Sequence, residues 1–154
     1  MVEITQFNFT VIKKSVMKTT KITYWTSTIL IFLLDGVMPA LTSNTELARQ
    51  GISHLGYPDY FRVMLTIFKI IGALVLILPI IKGRFKEWAY VGFAINFICA
   101  AASHWIVDGF GGQTIFPLVV FAILITSYLS YHKMSIKINI PTYNRNLIVN
   151  PWKV

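Results

Sequence analysis

Cysteine is nearly absent from this sequence, which carries Cys99 as its only thiol among 154 residues. A single cysteine excludes an intramolecular disulfide, a dithiol relay and a cysteine metal cluster. The paired-histidine metal signatures, the HExxH motif and a phosphate-cradling glycine loop are missing as well. The sequence therefore predicts no metal site and no catalytic residue, and redox chemistry would require a bound cofactor.

Charged residues are also scarce: 13% of the chain is Asp, Glu, Lys or Arg, whereas 55% is hydrophobic and the mean hydropathy is +0.63. These values lie outside the range of ordinary soluble domains. Four apolar stretches each approach the roughly 20 residues that a helix needs to cross the hydrocarbon core of a bilayer. They cover residues 22–41, 61–81, 88–106 and 114–131. The sequence predicts an all-α, four-helix transmembrane bundle, placed as a multi-pass protein in the cell membrane.

Lysine and arginine cluster before the first apolar stretch, between the second and third, and after the fourth. The third connection has none, and the first has only Arg49, with Arg62 at the start of the next helix. The positive-inside rule then places both termini in the cytoplasm. We expect an N-terminal arm (residues 1–21), a four-span domain (22–133) and a C-terminal tail (134–154). The net charge of +8 suits contact with an anionic inner leaflet, and no nucleic-acid motif is present.

The first apolar stretch has a second interpretation, because the segment from Met17 has the basic start and apolar middle of a signal peptide. Its length, the acidic Asp35 within it and the lack of a clear small-x-small cleavage site favour a membrane span instead. Met17 also resembles an alternative start of translation, which leaves open whether Met1 or Met17 is the true start.

Polar side chains inside the apolar stretches are the strongest functional clue, because an unpaired charge near the bilayer centre costs about 2.5–3.5 kcal/mol. From the helical rise, Asp35, Lys69 and Asn96 lie roughly 9–13 Å below the same end of their spans. We predict an ion pair between Asp35 and Lys69, with Asn96 as its hydrogen-bonding neighbour. Accordingly, Lys69→Met is expected to impair folding or function far more than Lys86→Met.

The third stretch carries small and polar residues along one helical face, which permits close approach of a neighbouring helix. The face consists of Gly92, Asn96, Cys99, Ala100 and Ser103. His104 lies beside it, and Asp108, one turn later, is placed to orient the imidazole. The long connection of residues 42–60 contains "SHLGYPDYF", whose aromatic residues are typical of a helix start at the membrane interface. Helix packing in lipid would by itself explain much of this pattern.

Several short sequence segments of this chain resemble segments of the DoxX-like family of small four-helix membrane proteins. "SHLGYPDYF", "FKIIGALVLILP", "KEWAYVGFAINFICAAASHW" and "IFPLVVFAILITSYLSYHK" resemble that family in this order, from about Met17 to Lys133. The resemblance implies a four-helix membrane bundle. The family's association with quinone-linked oxidation makes a quinone one candidate for the cofactor, whose identity the sequence leaves open. Where the family pattern is expected to carry an acidic residue in the third helix, this chain has Asn96, which cannot carry a proton as a carboxylate does.

Two functions fit the sequence. In the first, the bundle is an accessory or ligand-binding subunit, such as the membrane subunit of an oxidoreductase, and holds a small hydrophobic, quinone-like ligand through a few polar contacts. The candidate binding residues are Asp35, His54, Tyr57, Lys69, Asn96, Ser103, His104 and Trp105. In the second, the polar cluster only fixes helix packing, and the chain is an assembly factor that contacts a membrane protein partner or a second copy of itself. A transporter is disfavoured, because no inverted repeat with broken helices is present.

Overall fold

The computed structural model describes the backbone of residues 2–138 and the side chains of residues 17–135, and its regular elements are helices. In chain order they are α1 (Val2–Ile31), a π-helical segment (Phe32–Val37), α2 (Met38–Thr42), α3 (Glu46–His54), α4 (Asp59–Ile77), α5 (Arg84–Asp108) and α6 (Gly112–Ile138). The predicted arm of residues 1–21 is thus helical from Val2 onward. Most of the predicted tail, residues 139–154, lies outside the described residues.

Within the part of the chain that the structure describes, four helices are long and apolar enough to cross a membrane, as the sequence predicts. They are Met17–Thr42, Asp59–Ile77, Arg84–Asp108 and Gly112–Ser135. The first runs through the end of α1, the π-helical segment and α2 without a break. All-helical architecture follows from the solvent, since a helix satisfies its own backbone hydrogen bonds where no water is available.

Proline sets both ends of α4. Pro58 precedes the helix with an extended backbone, where its missing N–H leaves no hydrogen bond unmade. At the other end Pro79 excludes Leu78 from the helical conformation, and Leu78 has ψ 119°. Helix α4 therefore ends at Ile77, short of the predicted end at residue 81. Gly83 then reverses the chain with φ +67°, a conformation that favours glycine.

The bundle has two ends that differ in their connections. The loop end carries residues 43–58, which include α3, and the turn of residues 109–111 between α5 and α6. The hairpin end carries the short turn of residues 78–83 between α4 and α5. Helix α3 begins at its N-cap Thr45, whose hydroxyl accepts a hydrogen bond from the Ala48 amide at 3.4 Å.

The core forms where the four spans meet in a ring, with α1 on α6, α6 on α5, α5 on α4, and α4 on the π-helical segment. Its buried apolar cluster consists of Ile31, Ala73, Leu76, Tyr90, Phe93, Phe97, Val120 and Leu124. Hydroxyl groups tie three helices together inside it: the Ser127 hydroxyl is 2.8 Å from those of both Thr28 and Tyr90. Such interhelical hydrogen bonds stabilise packing in a solvent that offers no competing partner.

The first span lies close to α4 at Gly36. A Cβ atom at this position would lie 2.8 Å from the Ala73 Cβ, a distance that real side chains do not tolerate. We therefore expect Gly36→Ala to destabilise the bundle by about 1–3 kcal/mol, the usual cost of overpacking a core. Heating the purified protein in detergent and measuring the fraction that stays monodisperse would show a lower Tm.

Gly51→Ala in α3 is the matched control, because nothing lies within 4 Å of a Cβ atom there. It should leave the Tm unchanged or raise it slightly, since alanine favours a helix over glycine. Equal Tm values for Gly36→Ala and the unsubstituted protein would contradict the close packing of the first span on α4.

Candidate functional site

An ion pair inside the membrane-spanning region joins the first span to α4. The Lys69 ammonium donates a hydrogen bond to Asp35 Oδ1 at 2.8 Å. The Asp35 side chain is 7% exposed and that of Lys69 21%. The predicted pair is therefore confirmed. Asp35 lies in the π-helical segment, a distortion that often marks functional positions in helices.

Lys69 also lines a groove of about 680 Å³ between α4 and α5. The groove is otherwise almost entirely apolar, with Lys69 and Asn96 as its only charged or amide side chains. Its remaining lining residues are Phe61, Leu65, Phe68, Ile71, Gly72, Val75, Phe85, Trp88, Ala89, Gly92, Phe93, Ile95 and Cys99. The small-residue face predicted on the third span thus borders this groove through Gly92 and Cys99, rather than packing against a neighbouring helix along its length.

Asn96 is placed differently from the prediction. It shares the groove with Lys69 but makes no side-chain hydrogen bond to any residue that the structure describes. The expectation that it hydrogen-bonds the Asp35–Lys69 pair is therefore wrong: Asn96 lies on α5, whereas the pair joins the first span to α4. An amide can donate and accept, so this side chain is available to a bound molecule.

A second polar cluster lies at the loop end, where two histidines share one carboxylate. His54 Nε2 is 2.5 Å from Asp108 Oδ1, and His104 Nδ1 is 2.8 Å from Asp108 Oδ2. Because an ionised carboxylate only accepts hydrogen bonds, each imidazole donates here. The expected contact between His104 and Asp108 is confirmed. The contact with His54, which brings α3 onto the end of α5, could not be read from the sequence.

Tyr57 joins the same end of the bundle to the groove. Its hydroxyl is 2.8 Å from the Ser103 hydroxyl on α5. Its ring stacks on Phe61, with the ring centroids 4.6 Å apart. Phe61 is one of the lining residues of the groove, so Tyr57 and Ser103 lie at its loop end.

Trp105 does not take part in either cluster. Its side chain is 63% exposed, and its ring makes an edge contact with Phe110 at a centroid distance of 6.4 Å. It is not among the lining residues of the groove. The structure therefore brings together Asp35, Lys69 and Asn96 around the groove, and His54, Tyr57, Ser103 and His104 at its loop end, but leaves Trp105 on the outer surface.

Arg62 is a buried cation that was not among the predicted site residues. It is buried at the loop end, where it donates to both carboxylate oxygens of Asp59, to the Ser43 carbonyl and to the Asn44 side chain. These bonds hold the start of the long connection against α4. The signal was present in the spacing, since Arg62 falls on the same helical face as Lys69, Ala73 and Leu76.

The sequence places Lys86 in the connection between the second and third spans, but the structure places it inside the protein. Lys86 is only 2% exposed. The ammonium donates to the Leu76 carbonyl and to the Tyr24 hydroxyl, each at 2.8 Å, and lies 5.6 Å from the centre of the Tyr131 ring. Lys86 lies on the same face of α5 as the buried residues Tyr90, Phe93 and Phe97. This helical spacing indicates that Lys86 is buried.

Comparison with known proteins identifies a family. The family model described as the DoxX-like family matches residues 24–127. No curated protein matches the chain, and no solved structure matches it. The matched segment begins in the first span and ends within α6, so it includes the Asp35–Lys69 pair, the groove and the cluster at the loop end.

Proposed function

Because this chain belongs to the DoxX-like family, we propose that it is a ligand-binding accessory subunit of the membrane, which holds a small, uncharged, quinone-like molecule between α4 and α5. Lys69 and Asn96 contact the ligand, and Asp35 positions Lys69. Both termini lie in the cytoplasm, as the distribution of lysine and arginine favours, and the loop end faces outward.

The single observation that supports this proposal is the combination of Lys69 and Asn96 in an otherwise apolar groove. An ammonium group has three N–H donors, and Lys69 directs one of them to Asp35. The others are free to donate to a ligand oxygen, because Lys69 makes no other hydrogen bond to the described residues. Concave sites that combine apolar walls with a few polar groups are typical of small-molecule binding.

The charge of the site favours a neutral ligand over an acid. Asp35 already balances the charge of Lys69. A ligand carboxylate would add an unpaired negative charge to an apolar groove, which is costly in a low dielectric. A carbonyl group accepts hydrogen bonds without that cost. The aromatic side chains of Phe68, Trp88 and Phe93 offer walls on which a flat ring can pack.

A binding measurement with decylubiquinone as the probe tests the proposal. The protein is purified in a mild detergent, and native mass spectrometry and tryptophan quenching report bound probe. We expect the Kd to rise about fivefold in Asn96→Ala, the usual effect of losing one hydrogen bond. Lys133→Met is the control, because Lys133 is exposed and lies outside the groove.

The proposal is wrong if the probe fails to bind, or if Asn96→Ala and Lys133→Met bind it as the unsubstituted protein does. Palmitate, offered in the same assay, should bind more weakly than decylubiquinone because of its charge. Stronger binding of palmitate would contradict the preference for a neutral ligand.

The second candidate function is an assembly factor that binds a larger membrane protein. It is favoured by apolar side chains that remain uncovered at the loop end, where Leu47 and Ile106 are 82% and 85% exposed. Native mass spectrometry of the first purification separates the two candidates. A stoichiometric partner protein on a chain that binds no small molecule would support the assembly factor.

A further inference from the structure

We infer that the groove between α4 and α5 opens to the bilayer and is closed to water at the loop end, so that its ligand class is limited to molecules dissolved in the membrane. This inference rests on the proposed function, since it assigns the route by which the ligand of that same groove arrives. Three observations support the inference: contacts that close the loop end, contacts that fasten the closing segment, and an uncovered side between α4 and α5.

The first set closes the groove directly at the loop end. Tyr57 stacks on Phe61, which is the lining residue nearest the start of α4. The Tyr57 hydroxyl meets Ser103, which lies one helical turn beyond the lining residue Cys99. The Tyr57 side chain thus runs from the first turn of α4 to α5, directly beyond the last lining residues.

The second set fastens the segment that carries Tyr57. His54, at the end of α3, donates to one oxygen of Asp108, and His104 donates to the other. Asp108 is the last residue of α5. Because residues 55–58 run from His54 to the start of α4, the His54–Asp108 bond and the Tyr57–Ser103 bond hold this short segment across the end of the groove. The His104–Asp108 bond lies within α5 and orients the carboxylate that His54 contacts.

The third observation is that the side of the groove between its two ends is uncovered. At the hairpin end, Lys86 of α5 donates to the Leu76 carbonyl of α4, which ties the two helices together there. Between the two ends, the rim residues Phe68, Ile71 and Ile95 are exposed. Large apolar side chains that are exposed on a membrane-spanning helix face lipid, so this side opens to the bilayer.

The ligand class follows from this geometry. A molecule that dissolves in the bilayer reaches Lys69 and Asn96 sideways, between α4 and α5. A polar metabolite in water at the loop end meets the Tyr57–Ser103 closure. The open route therefore selects molecules that dissolve in lipid. The contacts with Lys69 and Asn96 select, among these, molecules with one hydrogen-bonding head.

Cys99 is a natural probe of this closure, because it is the only cysteine and lines the groove next to Ser103. The full chain is reconstituted in phosphatidylcholine nanodiscs, which expose both membrane faces to water. It is treated with a membrane-impermeant, permanently charged methanethiosulfonate reagent. Detergent denaturation and a mass-shifting maleimide then count the thiols that remain.

We expect Cys99 in the unsubstituted protein to stay unmodified while a control, Cys99→Ala with Lys82→Cys, reacts fully at its exposed position. Asp108→Ala removes both histidine bonds and should raise the Cys99 reaction rate roughly tenfold or more, as a local opening equilibrium shifts. Tyr57→Phe, which removes only the hydroxyl that meets Ser103, should raise it less and covers the case in which Asp108→Ala does not fold.

Two results overturn the inference. One is rapid modification of Cys99 in the unsubstituted protein, at the rate of the Lys82→Cys control, which would mean that water reaches the groove. The other is protection of Cys99 that persists in both Asp108→Ala and Tyr57→Phe, which would mean that these contacts do not form the closure. Neither result depends on a ligand, so failure of this inference is distinguishable from failure of decylubiquinone to bind.

Discussion

Lys69→Met is expected to lower the free energy of unfolding by about 3 kcal/mol and to abolish binding of the decylubiquinone probe. The substitution keeps the length and apolar stem of the side chain, but it leaves the Asp35 carboxylate buried without a partner. Breaking a buried ion pair on one side costs more than the pair itself contributes, because the remaining charge stays desolvated. Thermal denaturation in detergent measures the first effect, and native mass spectrometry the second.

Lys82→Met is the control for this result, because Lys82 is exposed in the turn at the hairpin end. The double variant Lys69→Met with Asp35→Asn separates stability from binding. It removes the unpaired charge, so most of the lost stability should return, whereas the probe should still not bind. A Tm of Lys69→Met equal to that of Lys82→Met would contradict the energetic importance of the pair.

Lys86→Met is expected to destabilise the bundle by about 1–3 kcal/mol, because it removes a buried donor that the Tyr24 hydroxyl and the Leu76 carbonyl share. The Leu76 carbonyl would keep only the longer hydrogen bond from the Tyr24 hydroxyl, at 3.5 Å. Helix α4 ends at Ile77, so the Leu76 carbonyl has no N–H partner further along the helix. Lys86 supplies one, and its positive charge is favourable at the C-terminal end of a helix. Thermal denaturation would show a lower Tm, and the turn between α4 and α5 would become more sensitive to protease.

Lys133→Met removes an exposed positive charge in the last turns of α6 and serves as the matched control. Its Tm should stay that of the unsubstituted protein. If Lys86→Met and Lys133→Met unfold alike, Lys86 does not stabilise the end of α4. This comparison replaces the initial expectation that Lys86 would itself be a harmless control for Lys69.

The ion pair in the site could be predicted from the sequence, because a charged side chain in lipid needs a partner. Asp35 and Lys69 were predicted to pair from their opposite charges, their similar depth and their helical phase, and the structure confirms the pair. Lys86 was assigned to a connection and Arg62 to the start of a helix, because both lie near span ends among other polar residues. Each in fact continues a buried helical face, which periodicity would have revealed if charge had not been taken as a sign of exposure.

Contacts between distant segments could not be predicted. His54 and Asp108 are far apart in the chain, and nothing local to either residue indicates the other. Asn96 was predicted at the right depth, but its wall of the groove depends on how α4 and α5 are rotated about their axes. Depth along a helix follows from counting residues, whereas rotation and neighbour identity do not.

The sequence is enough to predict four spans, their approximate bounds and the all-helical class, because the length of an apolar run and the cost of unpaired backbone groups in lipid leave no alternative. It also determined that Asp35 needs a cation. Three features are visible only in the folded protein: Lys69 reaches a groove as well as Asp35, Lys86 is buried among aromatic rings, and residues 54–58 cross the loop end. These features depend on which faces of the helices meet, and side-chain packing across the whole bundle sets that choice.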